Sequence, residues 1–249
     1  MTDVTPVAPW LVESCRFTGF VPAGATPDTK NWFAQAAQTP AESSTSRPPV
    51  GQHVEQGVVE SGKLTLAISP GRFDWTYGPP DVPANEIRSI GALDTVVPAF
   101  RGVIERWLPQ CPTLGRLATG LVLVRPVKTR TDGYRDLARY LGFLRTLDFE
   151  DAEDFFYAIN RPRQSTHGNI IVNRISRWSV VKFQTVQIQI DLGGSRPQVV
   201  PVDVGWGARL DLDVNTKPGA ESELPIPVSK AFSELVSMAL EISQKGDIK

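Results

Sequence analysis

"VDVGWGARLDLDV", Val202 to Val214, is the stretch that decides how this chain folds. Val202, Val204, Trp206, Ala208, Leu210, Leu212 and Val214 put an apolar side chain at every second position without a break. A period of two is the period of a β-strand, so all seven are expected on one face. Asp203, Arg209, Asp211 and Asp213 then face the other way. That alternation belongs to a sheet with one buried and one polar face, the habit of antiparallel strands.

Working outward, Arg174 to Ile190 reads as one long strand. Its apolar phase shifts near Gln184, which predicts a β-bulge there. "DLGGSRPQ", Asp191 to Gln198, is a turn. After the opening stretch comes an amphipathic helix starting near Ser229, with Phe232, Leu235, Val236, Ala239, Leu240 and Ile242 on its apolar face. Upstream, Leu121–Val124 predicts a central strand buried on both faces, and Gly133 to Leu147 returns to helical spacing. Asp94 to Leu108 reads as a helix that tolerates Pro98 only in its first turn and stops at Pro109 and Pro112.

Nearer the start, Trp10 to Val21 reads as a strand, and Asp28 can cap a helix beginning at Thr29. Lys63–Ser69 and Phe73–Tyr77 alternate about a Pro70-Gly71 turn and predict a hairpin. Residues 39–62 are rich in Ser, Thr, Pro and Gly and hold few large apolar groups. They read as a mobile surface loop, or as a segment that orders on a partner. The resulting order is β-α-ββ-α followed by β-α-β-β-β-α. It predicts a single α+β domain over residues 1–249, mainly antiparallel, with helices packed on one face of the sheet. Two similar sheet-and-helix units, 1–112 and 113–249, fit that order, although no repeat is visible residue by residue.

The 249 residues are 41% hydrophobic and 21% charged, which are ordinary globular values. The net charge is −1, so no global field draws the chain to nucleic acid or membrane. Its distribution is uneven. Residues 101–190 hold 14 Lys and Arg against 8 Asp and Glu, and the remainder holds 12 against 19. Cys15 and Cys111 make neither a disulfide framework nor a metal spacing. With no secretory signal and no apolar run long enough to span a bilayer, a cytoplasmic location with reduced thiols is expected.

The surplus of positive charge is densest in "INRPRQSTHGNIIVNRISRWS", Ile159 to Ser179. Antiparallel strands joined near His167-Gly168 would gather Asn160, Arg161 and Arg163 with Asn173, Arg174 and Arg177. Arginine forks suit phosphate and carboxylate groups, and Asn can hydrogen-bond a base or a backbone. The competing reading is an edge strand guarded by charge, with the arginines paired to Asp151, Glu153 and Asp154.

Asp203, Asp211 and Asp213 offer carboxylates on one strand face, with Asp211 and Asp213 roughly 7 Å apart. A divalent ion there would serve a metal-dependent phosphoryl-transfer enzyme or nuclease. An exposed strand face looks the same, and no His, Glu or Asn ligand joins the set at a readable spacing. His53 and His167 lack a Ser or Cys nucleophile in a recognisable setting. Arg72, Trp75 and Tyr77 could stack bases, but aromatics alternating on a hairpin also build cores. The glycine fingerprints of phosphate and dinucleotide binding are missing, so no cofactor is expected.

"RLDLDVNT", Arg209 to Thr216, followed by a spacer and the helix "VSKAFSELVSMALEI", Val228 to Ile242, resembles the end of a sporadically distributed family of uncharacterised bacterial proteins. The resemblance covers the last third of the chain. It implies a bacterial or phage setting and supplies no catalytic residues. The expectation is a non-catalytic binding or accessory protein whose basic central surface meets an anionic partner, either nucleic acid or an acidic protein. The alternatives are the metal-dependent enzyme and a structural or antitoxin-like assembly subunit with a protein partner or a second copy of itself.

Overall fold

The computed structural model describes residues 8–25, 27–80, 87–149, 152–189, 198–218 and 223–247. In chain order these form β1 (Leu11–Phe20), α1 (Trp32–Ala37), β2 (Ser43–Arg47), β3 (Gln52–Val59), β4 (Gly62–Ser69), β5 (Arg72–Gly78) and β6 (Gly91–Ala92). There follow α2 (Leu93–Trp107), β7 (Arg116–Val127), α3 (Arg130–Leu137), β8 (Phe156–Asn160), β9 (Arg163–Gln164), β10 (Ile171–Gln189), β11 (Gln198–Thr216) and α4 (Val228–Lys245).

One sheet takes in all eleven strands, in the order β2-β3-β4-β5-β1-β7-β11-β10-β8, with β6 beside β1 and β9 beside β10. Every pairing is antiparallel, as the alternation in β11 predicts. The outer strand pairings run in a matching order in the two halves of the chain. β1 pairs with β5, the last long strand of the first half, and β7 pairs with β11, the last strand of the second. β1 and β7 then pair with each other at the centre of the sheet.

All four helices lie on one face. Phe17 in β1 shows why: its ring meets Trp107 of α2 at 5.6 Å and Phe232 of α4 at 5.1 Å. Trp32 of α1 packs on Phe73 at 5.1 Å, and Gly133 of α3 lies under Val180. Cys15, Phe17, Leu121, Leu210, Leu212 and Trp178 are all buried beneath this layer. The other sheet face carries no helix among the described residues. β7 is central and buried over most of its length, as expected from Leu121–Val124.

Four expectations need correction. Residues 39–62 do not form an irregular loop. They contain β2 and β3, with β3 hydrogen-bonded to β4 from His53–Ile68 to Val59–Gly62. An edge strand orders through its backbone and needs few large side chains, so polarity misled the sequence reading. The helix expected from Gly133 begins at Arg130, capped by Thr129, whose hydroxyl accepts from the Asp132 N–H. It stops at Leu137, because the next turn carries Tyr140 into a stack with Trp178 and Trp10. Helix α1 starts at Trp32 and not at Thr29; Asp28 instead accepts from the Lys30 N–H. Pro98 sits past the first turn of α2, inside the helix. The turn expected at Asp191–Gln198 lies outside the described residues up to 197.

The predicted bulge is present, but the extra residue is in β11. Phe183 pairs with Gly205 and Gln184 with Asp203, leaving Val204 unmatched. A one-residue slip exchanges the faces of a strand. Trp206 to Val214 therefore keep to the helix-covered face as predicted, and the alternation does not continue through Val204 to Val202.

Candidate functional site

The six residues of the Asn-Arg stretch do not share a surface. Arg174 and Arg177 are three apart on β10, and a strand sends side chains an odd number apart to opposite faces. Arg174 is on the helix side beside Ser176 and Trp178, and is only 2% exposed. Arg161 and Arg163, at the edge of β10, reach the same side. Arg177, Asn160 and Asn173 are on the helix-free face.

On the helix side three arginines converge on the end of α4. Arg163 Nη1 donates to Glu241 Oε2 at 2.7 Å, and Arg174 Nη2 reaches the same oxygen at 3.5 Å. Arg161 grips Asp247 with two nitrogens, Nε and Nη2, the latter at 2.8 Å. The Tyr157 hydroxyl donates to Asp247 Oδ2 at 2.8 Å. Two carboxylates thus face three guanidinium groups, with Lys245 a further cation 3.3 Å from Glu241. Neither Glu153 nor Asp154 is the partner, and Asp151 lies outside the described residues.

The electrostatics follow from that imbalance. Burial, then the nearby Arg163 charge, lowers the Arg174 pKa. The Arg161 hydrogen bond holds Asp247 below its ordinary value of 3.8. Burial pushes Glu241 upward, but its bonds to Arg163 and Lys245 outweigh this and leave it below 4.5. Arg174 Nε is buried with no hydrogen-bond partner among the described residues. An unsatisfied buried donor of this kind costs about 1–3 kcal/mol. A cavity of about 10 Å³ adjoins it, lined by Arg161, Arg174, Ser176, Ile242, Gly246 and Asp247.

The helix-free face is a lattice of paired charges. Arg177 lies 3.5 Å from Asp211, Arg16 3.9 Å from Asp213, and Arg209 2.9 Å from Glu13. Arg16 and Asp213 stand on strands either side of β7, and both are in register with Gly120. The missing side chain at Gly120 lets the guanidinium cross over β7, 3.4 Å from where a Cβ would be. Asn160 donates to Asn173, Asn173 to Asn215, and Asn215 to Asp213, a chain of amides across three strands. These asparagines bridge strands with the groups that were expected to meet a base.

The carboxylate set expected to hold a metal is divided. The slip at Val204 sends Asp203 to the side of Lys182 and Gln184, which it meets at 2.7 and 2.8 Å. Asp211 and Asp213 stay on the helix-free face with arginine partners. Among the described residues no three His, Cys, Asp or Glu side chains group as metal ligands. Trp75 and Tyr77 are core residues, 0% and 1% exposed, and so are unavailable for stacking bases. Cys15 and Cys111 are free thiols; burial raises both pKa values, that of Cys111 to about 12, so neither is a nucleophile at neutral pH.

One arrangement escaped the sequence reading. Ser46 and His53 are directly paired across β2 and β3, and Ser46 Oγ lies 2.7 Å from His53 Nδ1. Glu55 is 3.5 Å from His53 Nε2. Ser46 and His53 line a cavity of about 340 Å³ together with Val21, Pro27, Ile68 and Phe73. The composition of residues 39–62 suits a loop, and without strand register nothing in the sequence places Ser46 beside His53. Ser46 is exposed, on an edge strand with no buried residue, so water competes for its proton and the contact serves the register of the hairpin. No helix among the described residues is long and apolar enough to cross a membrane. Compared with protein-family models, with curated proteins and with solved structures, the chain matches none.

Proposed function

We propose that this chain is a binding protein, and that it takes an anionic group of its partner at the arginine centre beside the end of α4. The observation that carries the reading is the unequal count there: among the described residues Arg161, Arg163 and Arg174 face two carboxylates, Glu241 and Asp247, and the buried Arg174 Nε has no hydrogen-bond partner. Buried polar groups in folded proteins are almost always satisfied. This one differs from the other arginine nitrogens in that state, Arg16, Arg125 and Arg209 Nε, in standing beside two further arginines, Arg163 on the same Glu241 and Arg161 on Asp247. Planar guanidinium forks recognise carboxylate and phosphate oxygens two at a time. The metal-dependent alternative loses its support, because Asp203 is on the other face from Asp211 and Asp213.

Arg161 and Arg163 have side chains 32% and 36% exposed, so a partner can reach them. The test is a salt titration of the wild type and an Arg161→Ala, Arg163→Ala variant against single-stranded DNA, duplex DNA and an acidic peptide. Binding is expected to weaken steeply with salt, with a slope of about 0.9 per phosphate neutralised on duplex DNA, and the variant should flatten it. Arg174 is left intact because it is buried, and truncating it would open a cavity beneath α4. A wild type that binds none of these anions at low salt would overturn the reading.

A further inference from the structure

The segment that follows α4 fits the arginine centre as a ligand would. Gly246 turns the chain at φ 80°, and a Cβ there would stand 2.2 Å from the Tyr140 carbonyl oxygen, so only glycine makes the approach. The turn is held by Gly246 N–H donating to Ile242 O at 2.8 Å and Asp247 N–H donating to Tyr140 O at 3.3 Å. It delivers the Asp247 carboxylate into the fork of Arg161 and under the Tyr157 hydroxyl.

The fit is incomplete in an informative way. The two Asp247 oxygens satisfy Arg161 and Tyr157, and among the described residues Arg174 Nε is left without a hydrogen-bond partner, in a residue that lines the small cavity. A planar carboxylate has no third oxygen to offer. A tetrahedral phosphate does, and it could accept from the Arg161 fork, from Tyr157 and from Arg174 together. The charge agrees: Glu241 and Asp247 together set two negative charges against three guanidinium groups, and a phosphate monoester in place of Asp247 raises this to close to three.

We infer that Asp247 is an internal stand-in for the phosphate of a phosphate monoester ligand, which displaces residues 246–247 when it binds. The inference rests on the binding function proposed above and adds the class of ligand and its control. Asp247 competes for the site, so apparent affinity falls in proportion to the fraction of molecules with the segment undocked.

The experiment uses the full chain, with inorganic phosphate, phosphoserine and a nucleoside monophosphate as probes. Binding is measured by calorimetry for the wild type, Asp247→Asn, and Asp247→Asn combined with Arg161→Ala. Asp247→Asn should bind at least about tenfold more tightly than the wild type, and the double variant should lose the gain. Inorganic phosphate binding as well as the organic esters would place the recognition in the phosphate itself; selectivity for one ester would place part of it in the attached group. Should Asp247→Asn fold poorly, hydrogen exchange on the wild type answers the same question. Saturating phosphate should speed exchange at the Gly246 and Asp247 amides and leave the α4 amides unchanged. Equal affinity of wild type and Asp247→Asn, or unchanged exchange at those amides, overturns the inference. The binding function stands in that case if the salt-dependent binding of the wild type is lost on changing Arg161 and Arg163. It falls with the inference if no anion binds.

Discussion

Arg174 and Arg177 stand three residues apart in one sequence motif and on opposite faces of one strand, and their neighbours determine what each can do. Arg174 is enclosed by Ser176, Trp178 and α4, where its charge must be met by Glu241. Arg177 stands in a solvated lattice with Asp211, at an exposure where an ion pair contributes little to stability. The Glu241 carboxylate has a measurable consequence. Its pKa is lower in the folded chain than its ordinary 4.5. A depressed carboxylate adds stability that is fully present above that ordinary value and is lost as the pH falls through the folded one. Asp247, held below 3.8, acts in the same sense. The melting temperature should therefore drop on acidification below about pH 4.5, and the drop should be shallower in Glu241→Gln than in the wild type. Thermal melts from pH 7 to pH 3 decide it; parallel curves would mean that Glu241 gains nothing from its arginines.

Elements show the same dependence on surroundings. The β2–β3 hairpin is built from residues whose composition suits a loop, yet Phe33 approaches within 3.3 Å of the Cβ position of Gly57, and Tyr77 donates its hydroxyl to Val59 O at 2.9 Å. Removing residues 43–59 and closing the gap with a short Gly/Ser link would take away the Val59 carbonyl that the buried Tyr77 hydroxyl donates to, and would uncover the β4 edge. A lost buried hydrogen bond and lost packing of a few kcal/mol should lower the melting temperature by roughly 10 °C. A shift of only a degree or two would show that the hairpin is an appendage. Helix α3 offers the converse lesson. Helical spacing continues past Leu137, but the chain leaves the helix so that Tyr140 can stack on Trp178, with Arg125 Nη2 donating to its hydroxyl at 2.9 Å. Arg125 is itself held by Asp136 at 2.5 Å, a buried pair that anchors α3 to β7.

Across the whole molecule, the two halves meet where β1 pairs with β7, and Phe17 is the side chain under both closing helices. Phe17→Ala should cost about 3–5 kcal/mol, the usual loss for a buried phenylalanine, and shift the melting temperature down by roughly 10 °C. The halves should melt together, since α2 and α4 lose the same support; two separate transitions would show that each half holds its own core. Charge behaves as a property of the whole molecule too. The four arginines of the Asn-Arg stretch do not collect into one basic face. Asp211, Glu241 and Asp247, all later in the chain, come back to Arg177, Arg163, Arg174 and Arg161.

Strong periodicity alone identifies the strands and helices that carry it. The pattern from Trp206 to Val214 announced an antiparallel sheet with one covered face, the phase shift near Gln184 announced a bulge, and Phe232 to Ile242 announced the covering helix. Periodicity records local burial, which is a one-dimensional signal. Which strand carries the extra residue, and hence on which face Asp203 stands, depends on register between β10 and β11, and register belongs to a pair of strands. The meeting of Arg161 with Asp247 joins residues 86 apart in the chain. Only the tertiary structure decided that the arginine stretch divides between two faces and that part of it closes on the end of α4. The reason is that charge pairing depends on distance in space, which a linear count of charges does not contain.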